Sequence, residues 1–326
     1  MISVTLSPWV FSHRLVVGAT EEFAVGDVHG HADLLEAVLE TVARLVGGRP
    51  STRLTYLGDL IDRGPDSRRC LELAARSARD HGVGAVHRLM GNHEQMMRLF
   101  MEGHPCLFTW CANGGGAALN SFGIDMDEVE RALARKHPSR SGWMFEAALQ
   151  DDVRDRLAAV VPAPVTAMLS AMTGHRRVGK TLFVHAGIDP RTDPFQTLQQ
   201  PWDALVDHHW AWIREPFLSH RAETFAEDLL VVHGHTPEPE VLDTEQRAPG
   251  GGHRLRCGRL NLDAGSYCTG RVAASQLCDG RYRLIVARRC ADSGPEPHGP
   301  DPACELAQTC VPSHSTRRPL SGPRNS

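Results

Sequence analysis

The chain has 326 residues, 41% hydrophobic and 23% charged, the balance of an average globular protein with length for one large domain or two ordinary ones. No window of about 18 apolar residues exists, so neither a membrane span nor a membrane partner is expected. A formal charge of −4 from 35 basic and 39 acidic residues leaves no electrostatic footprint for a nucleic-acid partner. The nine cysteines are odd in number and irregular in spacing, with no CxxC pair, which favours reduced thiols over a disulfide framework or a thiolate zinc site. Residues 1–20 lack a basic stretch followed by a long apolar run, so no signal peptide is expected and the default compartment is the cytoplasm.

Residues 1–20 read as an irregular lead-in. Glu22-Phe23-Ala24-Val25 predicts a brief buried strand ending at Gly26. Over 32–46, Leu34, Leu35, Val38, Leu39, Val42, Leu45 and Val46 recur with helical period, and Gly47-Gly48 stops the helix. A strand over 53–57, a helix over 67–79 and a third strand over 84–90 complete two successive βαβ units, whose parallel strands deliver their C-terminal ends to one sheet edge. Such an edge is where open α/β sheets bind ligands. The pattern is helical over 95–172, read as an insertion or cap. Strand character returns at 181–184, 229–232, 259–262, 271–276 and 282–286. From 291 to 326 the composition shifts to Pro, Ser, Gly, Arg and His, too poor in large apolar residues to offset ordering entropy, and a disordered tail is expected.

The polar residues at those strand ends carry the chemistry. Asp27 and His29 lie in Gly26-Asp27-Val28-His29-Gly30 after the first strand, Asp59 follows the second, and Asn92 with His93 follows the third. His185 in Val184-His185-Ala186-Gly187 and His235 in His233-Gly234-His235 also come directly after apolar runs. Three oxygen-bearing side chains and three imidazoles converge, a set suited to hard or borderline divalent metals such as Mn²⁺, Fe or Zn²⁺. Six ligands exceed one four-coordinate ion and suit a pair bridged by one carboxylate, best assigned to Asp59. Glycines beside nearly every ligand fit the unusual dihedrals and close approaches of such turns.

These motifs, GDVHG at 26–30, GDLIDRG at 58–64, GNHE at 91–94, VHAG at 184–187 and GH at 234–235, resemble in order and spacing the phosphoprotein phosphatase family of calcineurin-like metallophosphoesterases, bacterial serine/threonine phosphatase branch. The resemblance implies an α/β fold, a four-layer αββα sandwich of two mixed sheets with a helical insertion, spanning 21–290. It also implies two divalent metal ions, Mn²⁺ foremost, with Asp27, His29 and Asp59 on one and Asp59, Asn92, His185 and His235 on the other. Hydrolysis would then proceed by direct attack of a metal-bridging hydroxide, without a phosphoenzyme. His93 is the candidate acid for the leaving group, Asp62 its orienting partner, and Arg63 a planar fork for phosphate. Trp212-Ile213-Arg214 resembles a bacterial segment that makes Arg214 the second phosphate clamp. Asn113-Gly114-Gly115 resembles another segment of that branch, although a plain helix turn explains it equally. Glu94 is expected to cap or orient the following helix, and Asp263 is not expected to ligate.

Two substrate classes fit: a phosphorylated protein, making the chain a serine/threonine protein phosphatase, or a dinucleoside polyphosphate, making it a symmetrical diadenosine tetraphosphatase. A catalytically dead binding module is disfavoured by the completeness of the ligand set. Trp110, Trp143, Trp202, Trp210 and Trp212 could stack on bases, with apolar packing the commoner role.

Overall fold

In the computed structural model, which describes residues 1–136, 142–238 and 255–290, the two expected βαβ units lie side by side and form one side of the first of two sheets, ending at its edge strand. This sheet comprises β1 (Ile2–Leu6), β2 (Val10–Phe11), β3 (Glu21–Val25), β4 (Thr52–Tyr56), β5 (Ala85–Arg88), β11 (Arg271–Cys278) and β12 (Arg281–Arg289). Its order is β1-β12-β11-β3-β4-β5, with β2 also on β12. β3, β4 and β5 are parallel, Phe23 opposite Leu54 and Leu54 opposite Val86; the remaining pairs are antiparallel. The second sheet, order β6-β7-β8-β10-β9, holds β6 (His175–Val178), β7 (Thr181–Val184), β8 (Leu230–His233), β9 (Leu255–Arg256) and β10 (Arg259–Asn261). Its inner pairs β7-β8 and β8-β10 are parallel.

Alternation along β3 explains the layering. Phe23 and Val25 join the core formed with Leu34, Leu35 and Val38 of α1 (Ala32–Val46), whereas Ala24 faces Phe183, Val232 and Leu260 of the second sheet. Ala273 of β11 joins Ala24 in that inter-sheet core, and two methyl-sized side chains let the sheets approach closely. Each fully buried aliphatic side chain contributes about 1.5–3 kcal/mol. Glu22, completely buried on β3, takes a bidentate contact from Arg176 of β6 at 2.6 and 3.0 Å, an ion pair bridging the two sheets. α1 ends where expected, at Gly47 in the left-handed region.

The 95–172 stretch is helical: α3 (Asn92–Met101), α4 (Leu107–Trp110), a π-turn (Cys111–Gly115), α5 (Gly116–Ser121), α6 (Met126–Lys136), α7 (Trp143–Val160) and α8 (Ala163–Ala171). On the outer face of the second sheet Val184 and Val231 pack with Trp210, Ile213 and Phe217. That fourth layer is mostly loop, with one short helix, Pro194–Leu198. Among the described residues no helix is long and apolar enough to cross a membrane.

Three local expectations are corrected. The lead-in is not irregular: β1 pairs with β12, Ile2 opposite Arg289 and Leu6 opposite Ile285. The helix expected over 67–79, α2 (Ser67–Ala74), stops early because Ser77 and Asp80 bond each other's backbone amides and Arg88 takes the open carbonyls of Ala74 and Arg76. Strand β6, between the insertion and β7, was not foreseen. The tail expected at 291–326 lies outside the described residues.

Candidate active site

Turns at the C-terminal ends of five strands supply the side chains singled out in the sequence. Asp27 and His29 follow β3, Asp59, Asp62 and Arg63 follow β4, Asn92 and His93 open α3 after β5, His185 follows β7 and His235 follows β8. Apart from Arg63, all of these are buried. His29, Asp59, Asp62, Arg63 and His235 all hold positive φ, between 44° and 72°, a strained backbone that clusters at functional sites. The turns are stitched together by Val28 N and His29 N, which both donate to Asp59 O at 2.9 Å. Glu94 does more than cap α3: its carboxylate accepts from the amides of Asp59 (2.8 Å), Leu60 (2.7 Å) and Gly91 (3.0 Å), fixing the Asp59 turn to the helix.

The three imidazoles of the expected ligand set each spend one nitrogen on a backbone carbonyl. His29 Nδ1 meets Ile61 O at 2.9 Å, His185 Nδ1 meets Leu57 O at 3.0 Å, and His235 Nε2 meets Trp212 O at 3.1 Å. The second nitrogen of each is thereby aimed inward, as carbonyl partners do for metal-ligating histidines. His29 Nε2 is 3.7 Å from Asp59 Oδ2, and His185 Nε2 is 3.2 Å from Asp59 Oδ1. Asn92 Oδ1 lies 3.0 Å from His235 Nδ1 and 3.1 Å from His185 Nε2. Burial, Arg214 and His185 hold His235 well below the usual imidazole range, so an acceptor faces an acceptor there. Either a cation between them or a turned amide resolves the clash.

The charges point the same way. Burial, then Asp263 and Asp59, push Asp27 well above the usual carboxylate range, and its Oδ1 has no hydrogen-bond partner among the described residues. Burial alone would raise Asp59, yet the imidazoles of His185 and His93 hold it well below that range. Asp263, itself raised to about 6 by burial, adds its charge to the field on Asp27. Crowded carboxylates and inward-facing nitrogen lone pairs are a donor set that fits divalent cations. His29, Asp59 and His93 form one group able to hold a metal and Asp59, His185 and His235 a second, with Asp59 common to both.

His93 stands where Asp27 was expected in the first group. Its Nδ1 is 2.6 Å from Asp62 Oδ2, and its Nε2 is 3.8 Å from Asp59 Oδ2 and 3.1 Å from a guanidinium nitrogen of Arg63. The other terminal nitrogen of Arg63 is 3.2 Å from His29 Nε2. Arg214 lies in the field of Arg63, Asp59 and Asp263, its Nε buried without a hydrogen-bond partner among the described residues, and burial followed by Arg63 lowers its pKa. Two guanidiniums are thus close enough to feel each other's charge, as a pair that grips one anion would be.

Three contacts were not read from the sequence. The Tyr267 ring lies under the Arg63 guanidinium at 4.5 Å and edge-on to His29 at 5.4 Å. Trp110, weighed as a base-stacking platform, is fully buried and donates its Nε1–H to both Asp62 oxygens. Gly114 accepts from Arg63 N at 3.1 Å. Trp210 is equally buried, bonded to Gln200 O, while Trp212 bonds Gln95 and Trp202 packs under Arg98. Trp143 is 76% exposed.

The sequence profile of the calcineurin-like phosphoesterase family matches residues 23–270. The chain is 27% identical over 232 residues to a protein of Acidovorax sp. named bis(5′-nucleosyl)-tetraphosphatase, symmetrical, a match covering 69% of this chain and 61% of that relative's own length. It is 25% identical over 220 residues to the Bacillus velezensis protein named bis(5′-nucleosyl)-tetraphosphatase PrpE, asymmetrical, covering 65% of this chain and 76% of that one. Among solved structures, the cold-active protein-tyrosine phosphatase of a psychrophilic Shewanella superposes with a TM-score of 0.45 at 18% identity, over 83% of each chain.

Proposed function

Because the chain belongs to the calcineurin-like phosphoesterase family, we propose that it hydrolyses phosphate esters with two divalent metal ions, Mn²⁺ foremost and Fe or Zn²⁺ as alternatives. Asp27, His29 and Asp59 hold one ion; Asp59, Asn92, His185 and His235 hold the other. The observation that carries this reading is Asp59 itself, whose Oδ2 faces His29 at 3.7 Å while its Oδ1 faces His185 at 3.2 Å, the placement of a bridging carboxylate. Bound metals supply positive charge for the phosphoryl oxygens and activate the attacking water. Arg63 and Arg214 grip the phosphoryl group, His93 gives the leaving oxygen its proton, and Asp62 at 2.6 Å holds the imidazole in line.

The substrate we assign is a phosphoserine or phosphothreonine side chain. A serine or threonine alkoxide needs a proton to leave, whereas a nucleoside polyphosphate departs as a stabilised anion, so a buried, oriented His93–Asp62 pair supports the ester. The second reading, symmetrical hydrolysis of diadenosine tetraphosphate, is supported by the name of the Acidovorax relative. Initial rates on a phosphothreonine peptide and on diadenosine tetraphosphate, measured side by side with Asp59→Asn as the blank, decide between them. The peptide should lead by at least about a hundredfold in kcat/KM, near 2.7 kcal/mol of transition-state discrimination; the reverse ratio makes the nucleotide the substrate.

A further inference from the structure

We propose that the turn formed by residues 110–115 of the helical insertion is a positioning clamp, holding the orienter of the acid with Trp110 and the phosphate fork with Gly114. Asp62 and Arg63 are consecutive, non-glycine, and both left-handed, at φ 72° and 66°, a backbone that persists only where its surroundings over-determine it. The clamp supplies that determination from both sides. Trp110 Nε1 donates to Asp62 Oδ1 at 3.1 Å and Oδ2 at 2.9 Å, and Oδ2 is the atom 2.6 Å from His93 Nδ1. Two hydrogen bonds therefore run from the insertion to the imidazole facing Asp59. Phe100 packs on one side of the indole, ring centres 5.7 Å apart. Gly115 also packs against it, so closely that a β-carbon there would come within 2.6 Å of Trp110 Cδ1.

Arg63 is held by the same turn one residue earlier. Its amide donates to Gly114 O at 3.1 Å, and Gly114 sits at φ 103° with its backbone against the arginine stem. A β-carbon there would lie 2.7 Å from Arg63 Cγ and 3.0 Å from Arg63 N. The chain kinks at Gly114, whose φ of 103° lies outside the helical region, between α4 and α5, and this bend brings Trp110 and Gly114 to bear on adjacent residues. The Asn113-Gly114-Gly115 segment thus gains a physical role that a plain helix turn lacks. Trp110 and Gly114 touch no reacting atom; both act through Asp62 and Arg63.

This inference rests on the phosphate-ester reading, and two esters separate its failure from that of the reading. 4-Nitrophenyl phosphate releases an anion stable without a proton; a phosphothreonine peptide releases an alkoxide that needs one. With metal content confirmed equal to wild type, Trp110→Phe should change kcat on 4-nitrophenyl phosphate by less than about twofold. On the peptide it should lower kcat at least about tenfold with KM unmoved, a part of the factor that general acids supply. Gly114→Ala should instead raise KM for both esters about tenfold, and it carries the test alone should Trp110→Phe not fold. Equal losses on both esters in Trp110→Phe, or an unchanged KM in Gly114→Ala, overturn the clamp. A metal-loaded wild-type chain that turns over neither ester removes the reading and the clamp with it, an outcome distinct from a failed clamp because the parent enzyme itself is silent.

Discussion

Gly234 presses its backbone against the carboxylate of Asp27: a β-carbon at 234 would overlap Oδ1, while the next amide, that of His235, donates to Oδ2 at 2.9 Å. One glycine thus seats residues from two sheets, Asp27 after β3 and His235 after β8. Gly234→Ala must displace one of them, and it should lower metal affinity by about 10–100-fold, the range found when a supporting contact of a ligand is lost. Titration of the metal-free chain with Mn²⁺, followed by calorimetry, checks this. Wild-type affinity at two ions per chain would mean that the Asp27–Gly234 contact does not set the site.

The convergence of the strand-end polar residues was legible because two signals coincide in the sequence, an apolar run and a glycine-flanked polar residue directly after it. Phe23-Ala24-Val25 states its burial as a short apolar run, and Asp27 follows it by two residues. Trp110, Gly114 and Tyr267 were not legible in the same way, since their targets Asp62 and Arg63 lie about 50 or 200 residues away and no local period encodes such a contact. β1 was missed although Ile2, Val4 and Leu6 alternate, because its partner β12 is formed by Arg281–Arg289 at the far end of the described chain. α2 was overextended because helical period continues past Ala74, while the Ser77–Asp80 bonds that end it are side-chain effects that periodicity does not register.

Arg63 and Arg214 repel each other, a repulsion that a bound anion would neutralise, and Arg214 Nε has no hydrogen-bond partner among the described residues. Inorganic phosphate should therefore inhibit competitively. Arg214→Met should weaken that inhibition by about 10–100-fold, as expected for loss of a hydrogen bond to a charged group worth about 1.5–3 kcal/mol. Arg63→Lys should also weaken it, since a point charge replaces a planar fork. Inhibition constants for phosphate that are unchanged in both variants would place the phosphoryl group elsewhere.

His81 should make the fold sensitive to acid. It is buried beside Tyr56, 3.4 Å from the hydroxyl, and burial followed by Arg88 and Arg76 lowers its pKa to about 4 from the model-peptide value of 6.5. The unfolded chain then binds more protons between those two values, so stability rises with pH across that window. The contribution is fully present above pH 6.5 and lost as pH falls through the window towards 4. About 2 kcal/mol is expected at stake, allowing for partial screening. Urea unfolding at a series of pH values should show this slope in the wild type and a flatter one in His81→Gln; equal slopes would show that His81 ionises freely in the folded chain.

His93 is near enough to Asp59 to be counted among metal-holding groups, yet its surroundings argue for a different role. Its Nδ1 is committed to Asp62 at 2.6 Å, and its Nε2 faces a guanidinium nitrogen of Arg63 at 3.1 Å, closer than the 3.8 Å to Asp59 Oδ2. His29 Nε2 also faces Arg63, at 3.2 Å, but its Nδ1 meets the carbonyl of Ile61, whereas the Nδ1 of His93 meets a carboxylate, a partner that stabilises the protonated imidazole a general acid needs beside the phosphoryl group that Arg63 grips. His93→Asn should therefore retain two metal ions per chain and lose about 10²–10⁴ in turnover of an alkyl phosphate, the span attributed to general acid catalysis. Asp59→Asn should do the reverse in order, losing metal first and activity as the consequence, because its two oxygens serve both groups. Elemental analysis of each purified variant beside its kcat separates the cases. One ion per chain in His93→Asn would move the imidazole into the coordination sphere and leave the leaving-group proton to another donor.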